Sequence, residues 1–214
     1  MTASRDDLSF QHVFEPGGSA ITLLLLHGTG GDEHDLLALG RAVMPGAALL
    51  SPRGKVLEGA MPRFFRRHAV GQLDIPDLLE QTDELATFVA AAAAVYERDP
   101  ARVVAVGLSN GANIAASLLL RHPGVLRAAA LLRAMLPYEP PEPPRLAGTD
   151  VLIDAGEADP FAPPAQVRRL AEILAEGGAD VLVHTEPGAG HGLTNADLAI
   201  LSRWSTELAA RLSP

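Results

Sequence analysis

Short apolar runs alternate along the chain with longer segments in which apolar residues recur at every third or fourth position. Such runs are typical of buried strands, and the longer period is typical of helices that cover a sheet. Predicted strands lie at 10–14 (an edge strand), 21–26, 47–50, 103–106, 128–132, 151–154 and 181–184. Predicted helices lie at 35–43, 75–96, 112–121 and 163–176, with a final helix through 198–212 and expected caps at Asp74 and Asn195. This order predicts an α/β fold, with a mostly parallel central sheet and helices on both faces.

Parallel strands that are joined by right-handed crossovers place their carboxyl ends at one edge of the sheet. We therefore expect a functional site in the loops that follow the predicted strands. The residues that directly follow each strand are the first candidates for chemistry.

The most specific local pattern is the G-x-S-x-G stretch at 107–111, which directly follows a predicted strand and precedes a predicted helix. In this context the pattern predicts a serine nucleophile on a sharp turn, because glycines leave room for a strained backbone there. Ser109 is the predicted nucleophile. The alternative is an ordinary turn that happens to be rich in Gly, Ser and Asn.

A serine nucleophile needs a base, and His191 lies in a glycine-rich loop just after the last predicted strand. We predict that His191 is this base. His184, inside the strand, and His27, beside the first glycine-rich loop, are interpreted as structural.

Asp159 follows the strand at 151–154 and is the predicted acid, because a carboxylate there can accept the imidazole Nδ1–H and orient the ring. Its neighbours Glu157 and Asp154 remain alternatives. The resulting order of nucleophile, acid and base along the chain is that of the α/β-hydrolases.

The loop at 27–31 is also rich in glycine and follows the predicted strand at 21–26. We expect the backbone N–H groups of Thr29 and Asn110 to form an oxyanion hole. A dinucleotide-binding loop is the competing interpretation, but the G-x-G-x-x-G spacing is lacking.

The composition of the chain further limits the possible functions and partners. The 214 residues fit a single domain, 1–214, and the absence of cysteine excludes disulfides and a cysteine nucleophile. The net charge of −9 disfavours nucleic acid as a partner. The amino-terminal residues lack the pattern of a signal peptide, and the apolar runs are shorter than the ~20 residues of a membrane span. We therefore expect a cytoplasmic protein without a membrane contact.

The stretches 27–31, 107–112, 156–160 and 190–191 together resemble the phospholipase/carboxylesterase family, which includes acyl-protein thioesterases. The segments 51–54, 61–67 and 109–113 are most similar to its bacterial carboxylesterase branch. The resemblance implies an α/β-hydrolase fold and ester hydrolysis without a metal or organic cofactor, commonly by a homodimer. Asn110 stands where the thioesterases more often have Gln, which disfavours a protein-depalmitoylating role. Dienelactone hydrolysis is disfavoured because its nucleophile is usually Cys.

Fewer than twenty residues separate the strands at 128–132 and 151–154, which leaves no room for a lid domain, so we expect small soluble ester substrates. An acyl thioesterase or lysophospholipase is the alternative, followed by a non-catalytic ligand-binding relative. Phe64 and Phe65 are interpreted as core anchors. The basic residues near them could bind an acidic group of the substrate, or could instead pair with acids of the protein: Arg53, Arg63, Arg66 and Arg67.

Overall fold

A sheet of seven strands lies at the centre of the computed structural model, which describes residues 8–212. The eleven strands within these residues are β1 His12–Glu15, β2 Thr22–Leu26, β3 Ala48–Pro52, β4 Val56–Glu58, β5 Met61–Arg63, β6 Arg67–Ala69, β7 Gln72–Leu73, β8 Val103–Leu108, β9 Ala128–Leu132, β10 Asp150–Gly156 and β11 Asp180–Glu186. The order in the central sheet is β1-β3-β2-β8-β9-β10-β11. β1 pairs with β3 in antiparallel fashion, and every other pair in this sheet is parallel. The predicted α/β class is confirmed.

Within residues 8–212, five α-helices cover this sheet on its two faces: α1 Leu37–Val43, α2 Ile75–Val95, α3 Asn110–Arg121, α4 Pro164–Glu176 and α5 Asn195–Leu212. On one face the core contains Leu85 of α2, Ile114 of α3 and Leu170 of α4. On the other face it contains Leu37 of α1 and Trp204 of α5. Because both faces are covered, β2, β3, β9 and β10 are buried along their whole length, and β8 is buried except at its last residue, Leu108.

The start of α5 differs from the prediction. Asn195 is the first residue of the helix, whereas Thr194 makes the capping contacts. The Thr194 hydroxyl accepts a hydrogen bond from the Asp197 N–H at 3.3 Å, and Asp197 Oδ2 accepts one from the Thr194 N–H at 2.6 Å. This reciprocal pair is a capping box, which satisfies two donors at the helix end. At α2 the predicted cap is correct, since Asp74 accepts from the Asp77 N–H.

A second difference lies between β3 and α2, where two small hairpins were not predicted. β4 pairs with β5, and β6 pairs with β7, in antiparallel fashion. These strands are two or three residues long and partly exposed, so they lack the apolar run that marks a buried strand. Phe64 and Phe65 are fully buried between the hairpins, as the interpretation of them as core anchors required.

Residues 133–149, which connect β9 to β10, form neither helix nor strand. No lid domain is therefore inserted at this position. None of the helices described here is long and apolar enough to span a membrane.

Candidate active site

Ser109 occupies a sharp turn between β8 and α3. Its φ of 53° lies in the left-handed region, which is uncommon for a residue other than glycine. Its N–H donates to the Leu132 carbonyl at 2.8 Å, which ties the turn to the end of β9. A Cβ at Gly107 would lie 2.6 Å from the Gly111 carbonyl oxygen, and a Cβ at Gly111 would collide with the Leu26 carbonyl. The two glycines are therefore required by the close approach of the backbone on both sides of the serine.

Three of the predicted side chains form a continuous series at the carboxyl edge of the sheet. The Ser109 Oγ lies 2.7 Å from His191 Nε2, and His191 Nδ1 lies 2.7 Å from Asp159 Oδ2. The Asp159 carboxylate is fully buried, and its other oxygen accepts from the Phe161 N–H at 2.8 Å. This arrangement holds the imidazole between a hydroxyl and a carboxylate.

The alternative residues have other partners. Asp154 accepts hydrogen bonds from Arg133 and lies 2.7 Å from His184 Nδ1, and Glu157 accepts from the Gly188 N–H. His27 is buried, and its Nε2 accepts from the Gly54 N–H at 2.9 Å. Burial lowers the pKa of His27, which favours the neutral ring that this acceptor role requires.

The two predicted oxyanion donors lie on the same cavity as Ser109. Asn110 is the first residue of α3, where a helix offers no carbonyl partner for the backbone N–H. In the other loop the Gly30 N–H donates to the Pro62 carbonyl, and the Gly31 N–H donates to Gly28. Within residues 8–212, the Thr29 N–H has no acceptor of its own. Both groups are therefore available to an oxygen atom in the cavity.

This cavity has a volume of about 340 Å³. One wall consists of residues that follow the central strands, and the other comes from the hairpins between β3 and α2. The lining residues are Gly28, Thr29, Arg63, Arg67, Gly71, Leu73, Leu108, Ser109, Asn110, Asn113, Arg133, Met135, Phe161, His191, Gly192 and Leu193. The size suits a small organic molecule.

The four candidate arginines divide into two pairs. Arg63 and Arg67 line the cavity, whereas Arg53 and Arg66 are absent from its described lining. Arg53 pairs with Glu33 and lies 3.6 Å from Asp32. This is the alternative from the sequence analysis in which the arginine pairs with acids of the protein. The Arg66 guanidinium pairs with two acids of the α2 amino-terminal end, Asp74 and Asp77.

Arg63 and Arg67 share one carboxylate, that of Glu58. Arg67 binds both Glu58 oxygens, at 2.7 and 3.0 Å, and Arg63 lies 3.2 Å from Oε2. The hydrogen bond from Arg67 is the main cause that lowers the pKa of Glu58. Arg63 Nη1 also donates to the Thr29 hydroxyl at 2.6 Å. Two positive charges, paired with one negative charge, therefore line the cavity that contains Ser109.

Among the lining residues that the sequence analysis did not propose, Phe161 and Arg133 contact His191 or its loop. Phe161 packs edge-on against the His191 ring, with ring centroids 4.8 Å apart. Arg133 directly follows β9, so its position at a strand end could have marked it as a candidate. For Phe161, the available signal was its place two residues after Asp159.

Arg133 belongs to a buried ionic cluster with Asp154, Asp197 and His184. Burial is the main cause that raises the pKa of Asp154, while the His184 hydrogen bond acts in the opposite direction. Ligand atoms of Asp154, His184 and Asp197 lie close enough together to hold a metal ion. The Arg133 guanidinium already binds both carboxylates, however, and supplies the positive charge that this group requires.

The sheet order, the serine turn and the placement of His191 and Asp159 on strand-end loops define the class of the protein as an α/β-hydrolase. The chain belongs to the Dienelactone hydrolase family, whose model matches residues 63–210. The residue at the sharp turn is nevertheless Ser109, so the sequence-based reason for disfavouring dienelactone hydrolysis is unchanged. The resemblance to phospholipase/carboxylesterase proteins is confirmed by similarity to solved carboxylesterases.

Individual relatives extend over nearly the whole chain. MhqD of Bacillus subtilis (strain 168) is 46% identical over 197 residues, which are 92% of this chain and 98% of that protein. The Bacillus cereus carboxylesterase is 42% identical, with a TM-score of 0.92 over 95% of this chain and 96% of that one. YahD, whose structure was determined with malic acid, is 29% identical, with a TM-score of 0.85 over 91% of this chain and 97% of that one. The chain is therefore a carboxylesterase-like hydrolase.

Proposed function

We propose that the protein is a serine carboxylesterase that hydrolyses small esters through an acyl-enzyme on Ser109. The observation that carries this proposal is the hydrogen-bonded series from Asp159 through His191 to Ser109, with the hydroxyl on the cavity. His191 is the general base in this proposal, and Asp159 is the acid that orients it.

In the first half-reaction the Ser109 oxygen attacks the ester carbonyl while His191 Nε2 takes the hydroxyl proton. The carbonyl oxygen becomes negatively charged, and the N–H groups of Thr29 and Asn110 stabilise it. In other enzymes one such donor is worth about 3 kcal/mol of transition-state stabilisation. His191 then gives its proton to the departing alcohol, which leaves an acyl group on Ser109.

In the second half-reaction water replaces the alcohol. His191 takes a proton from the water, whose oxygen attacks the acyl carbonyl, and the carboxylic acid leaves as the proton returns to Ser109. Asp159 accepts the Nδ1–H throughout, which keeps Nε2 free to accept and stabilises the imidazolium.

A panel of activated esters and thioesters from acetyl to palmitoyl tests this function. We expect the highest kcat/KM for short acyl esters, because the cavity is small and no lid domain covers it. Ser109→Ala should abolish turnover and labelling by a fluorophosphonate without changing the melting temperature. Rates that rise steadily with acyl length would contradict the size preference, and a thioester preference would favour the acyl thioesterase. Labelling of Ser109→Ala at the wild-type rate would exclude the acyl-enzyme.

We also propose that the substrate carries a carboxylate close to the ester. The support is the local charge, since Glu58 is the acid that pairs with both Arg63 and Arg67, and no other acid pairs with them within residues 8–212. Arg67, whose side chain is 25% exposed, is the proposed partner, and a substrate carboxylate would compete with Glu58 for its Nε and Nη2 donors. YahD with malic acid, a dicarboxylate, is consistent with such a preference.

Inhibition by malate, measured at low and high ionic strength, tests this preference. Arg67→Ala should weaken inhibition, and salt should weaken it in the wild type. The matched control is Arg53→Ala, since Arg53 belongs to the same segment but pairs with Glu33. Equal inhibition of all three proteins, or no inhibition, would contradict the carboxylate proposal and leave the esterase proposal untouched.

A further inference from the structure

Arg133 makes direct hydrogen bonds to the loop that carries His191. Its Nε donates to the Gly190 carbonyl at 3.1 Å, and its Nη2 donates to the Gly192 carbonyl at 3.1 Å. These carbonyls belong to the residues immediately before and after His191. The guanidinium therefore holds the backbone on both sides of the histidine.

The same guanidinium is anchored to the scaffold by two buried carboxylates. Its Nη1 donates to Asp154 Oδ2 of β10 at 3.1 Å, and its Nη2 binds Asp197 in the first turn of α5. The Asp197 carboxylate is in turn held by the Thr194 N–H. The side chains of Arg133 and both acids are at most 1% exposed, so water does not compete for these bonds.

The backbone of Arg133 links the ends of three central strands. Its N–H donates to the Asp154 carbonyl at 2.8 Å, and the preceding residue, Leu132, accepts from the Ser109 N–H. The φ of Arg133 is 59°, a left-handed conformation that costs energy for a residue with a Cβ. Such a conformation persists only where the surrounding contacts enforce it, which the side-chain bonds of Arg133 do.

The His191 loop needs this support because of its composition. Residues 187–192 contain three glycines, which give the unfolded and the locally open loop much conformational freedom. A displacement of about 1 Å in a catalytic group can reduce a rate by about 100-fold. The loop that carries His191 therefore requires rigid contacts from outside itself.

We propose that Arg133 is a positioning residue that keeps His191 Nε2 within hydrogen-bond distance of the Ser109 hydroxyl. This inference rests on the proposed role of His191 as the base. Arg133 acts through the histidine loop and not on the substrate, so its loss should reduce kcat while KM stays nearly constant.

Arg133→Lys is the direct test, because lysine keeps the charge but lacks the planar fork that reaches two carbonyls and two carboxylates. We expect kcat to fall by about 10- to 100-fold, with KM within about twofold. The low-field proton resonance of the His191 Nδ1–H should broaden or shift, which a purely structural role would not cause. The matched control is Arg127→Lys, since Arg127 directly precedes β9 and pairs with Asp150 at the opposite end of the same strands. This control should leave kcat unchanged.

Thermal unfolding of each variant shows whether it has folded. If Arg133→Lys fails to fold, Asp197→Asn decides the matter, since it weakens one anchor and should lower kcat in the same way with KM constant. The proposal is overturned if the folded Arg133 or Asp197 variant has the kcat of the Arg127 control, or if its loss lies in KM. Failure of the esterase proposal is recognised separately, by turnover that survives Ser109→Ala.

Discussion

The two walls of the cavity are built in different ways. The strand-end wall consists of the loops that follow β2, β8, β9, β10 and β11, and its polar groups are tied to the sheet by backbone hydrogen bonds, such as that from Ser109 to Leu132. The hairpin wall, residues 53–74, consists of short strands that are held by Phe64 and Phe65 and by ion pairs. The strand-end wall can hold catalytic groups that need an accurate geometry, whereas the charge of the hairpin wall can change without disturbing the sheet.

A few contacts join the two walls. Asn110 Oδ1 accepts from the Phe64 N–H at 2.7 Å, and His27 Nε2 accepts from the Gly54 N–H. Arg63 reaches from the hairpin wall to the Thr29 hydroxyl. Changes on the strand-end wall should therefore affect the rate of the reaction most strongly, and changes on the hairpin wall should affect substrate preference.

The largest effect is expected at Asp159. Asp159→Asn should lower kcat by about 10⁴-fold with folding intact, because an asparagine at this place favours the wrong tautomer of His191. The control is Glu157→Gln, which should retain most activity, since Glu157 contacts Gly188 and not His191. Steady-state kinetics and melting temperatures provide the measurement. A greater loss in the Glu157 variant would mean that the acid has been misassigned.

Substituting one glycine in each wall compares how tightly the two walls are packed. Gly111→Ala should reduce the free energy of unfolding by about 3 kcal/mol, because its Cβ would press on the backbone of β2. Gly71→Ala in the hairpin wall should cost about 1 kcal/mol, because its φ is 75° but the space around it is open. Urea unfolding measures both values. Equal costs would contradict the difference in packing.

The contact at His27 predicts a dependence on pH. Burial lowers the pKa of His27 in the folded protein, so the unfolded chain binds this proton first as the pH falls below the ordinary value of 6.5. The stabilising contribution of neutral His27 is present above that pH and is lost on acidification, by at most about 1.4 kcal/mol per pH unit. His27→Gln, which cannot be protonated, should show a flatter loss of stability between pH 7 and pH 5. Parallel curves for the two proteins would disprove this.

The smallest effect on stability is expected from Glu58→Gln. Because Glu58 is partly exposed, the change should alter the free energy of unfolding by less than about 1 kcal/mol. It removes the negative charge between Arg63 and Arg67, so kcat/KM for a carboxylate-bearing ester should rise about two- to fivefold relative to a neutral ester. The gain should shrink at high salt. An equal change for both esters would show that Glu58 does not influence charge selection.

The sequence was most informative where the signal is local. The apolar runs of the central strands, the glycines around Ser109 and the positions of His191 and Asp159 after strands each depend on a few neighbouring residues. These signals predicted the sheet, the helices on both of its faces and the series in which His191 lies 2.7 Å from both Ser109 and Asp159. The hairpins were missed because their short, partly exposed strands have no such signal.

The amino-acid sequence by itself determined the α/β-hydrolase class and the candidates at the strand ends, because strand burial and tight turns place strong limits on neighbouring residues. Only the tertiary structure decided which charged groups meet. Asp154 and Asp197 lie 21 and 64 residues after Arg133 along the chain, yet the three form one buried cluster. Of the four arginines near residue 60, only Arg63 and Arg67 line the cavity. The positions of long charged side chains follow no local period that would indicate which residue each of them pairs with. Each pairing depends on where the completed fold brings an opposite charge.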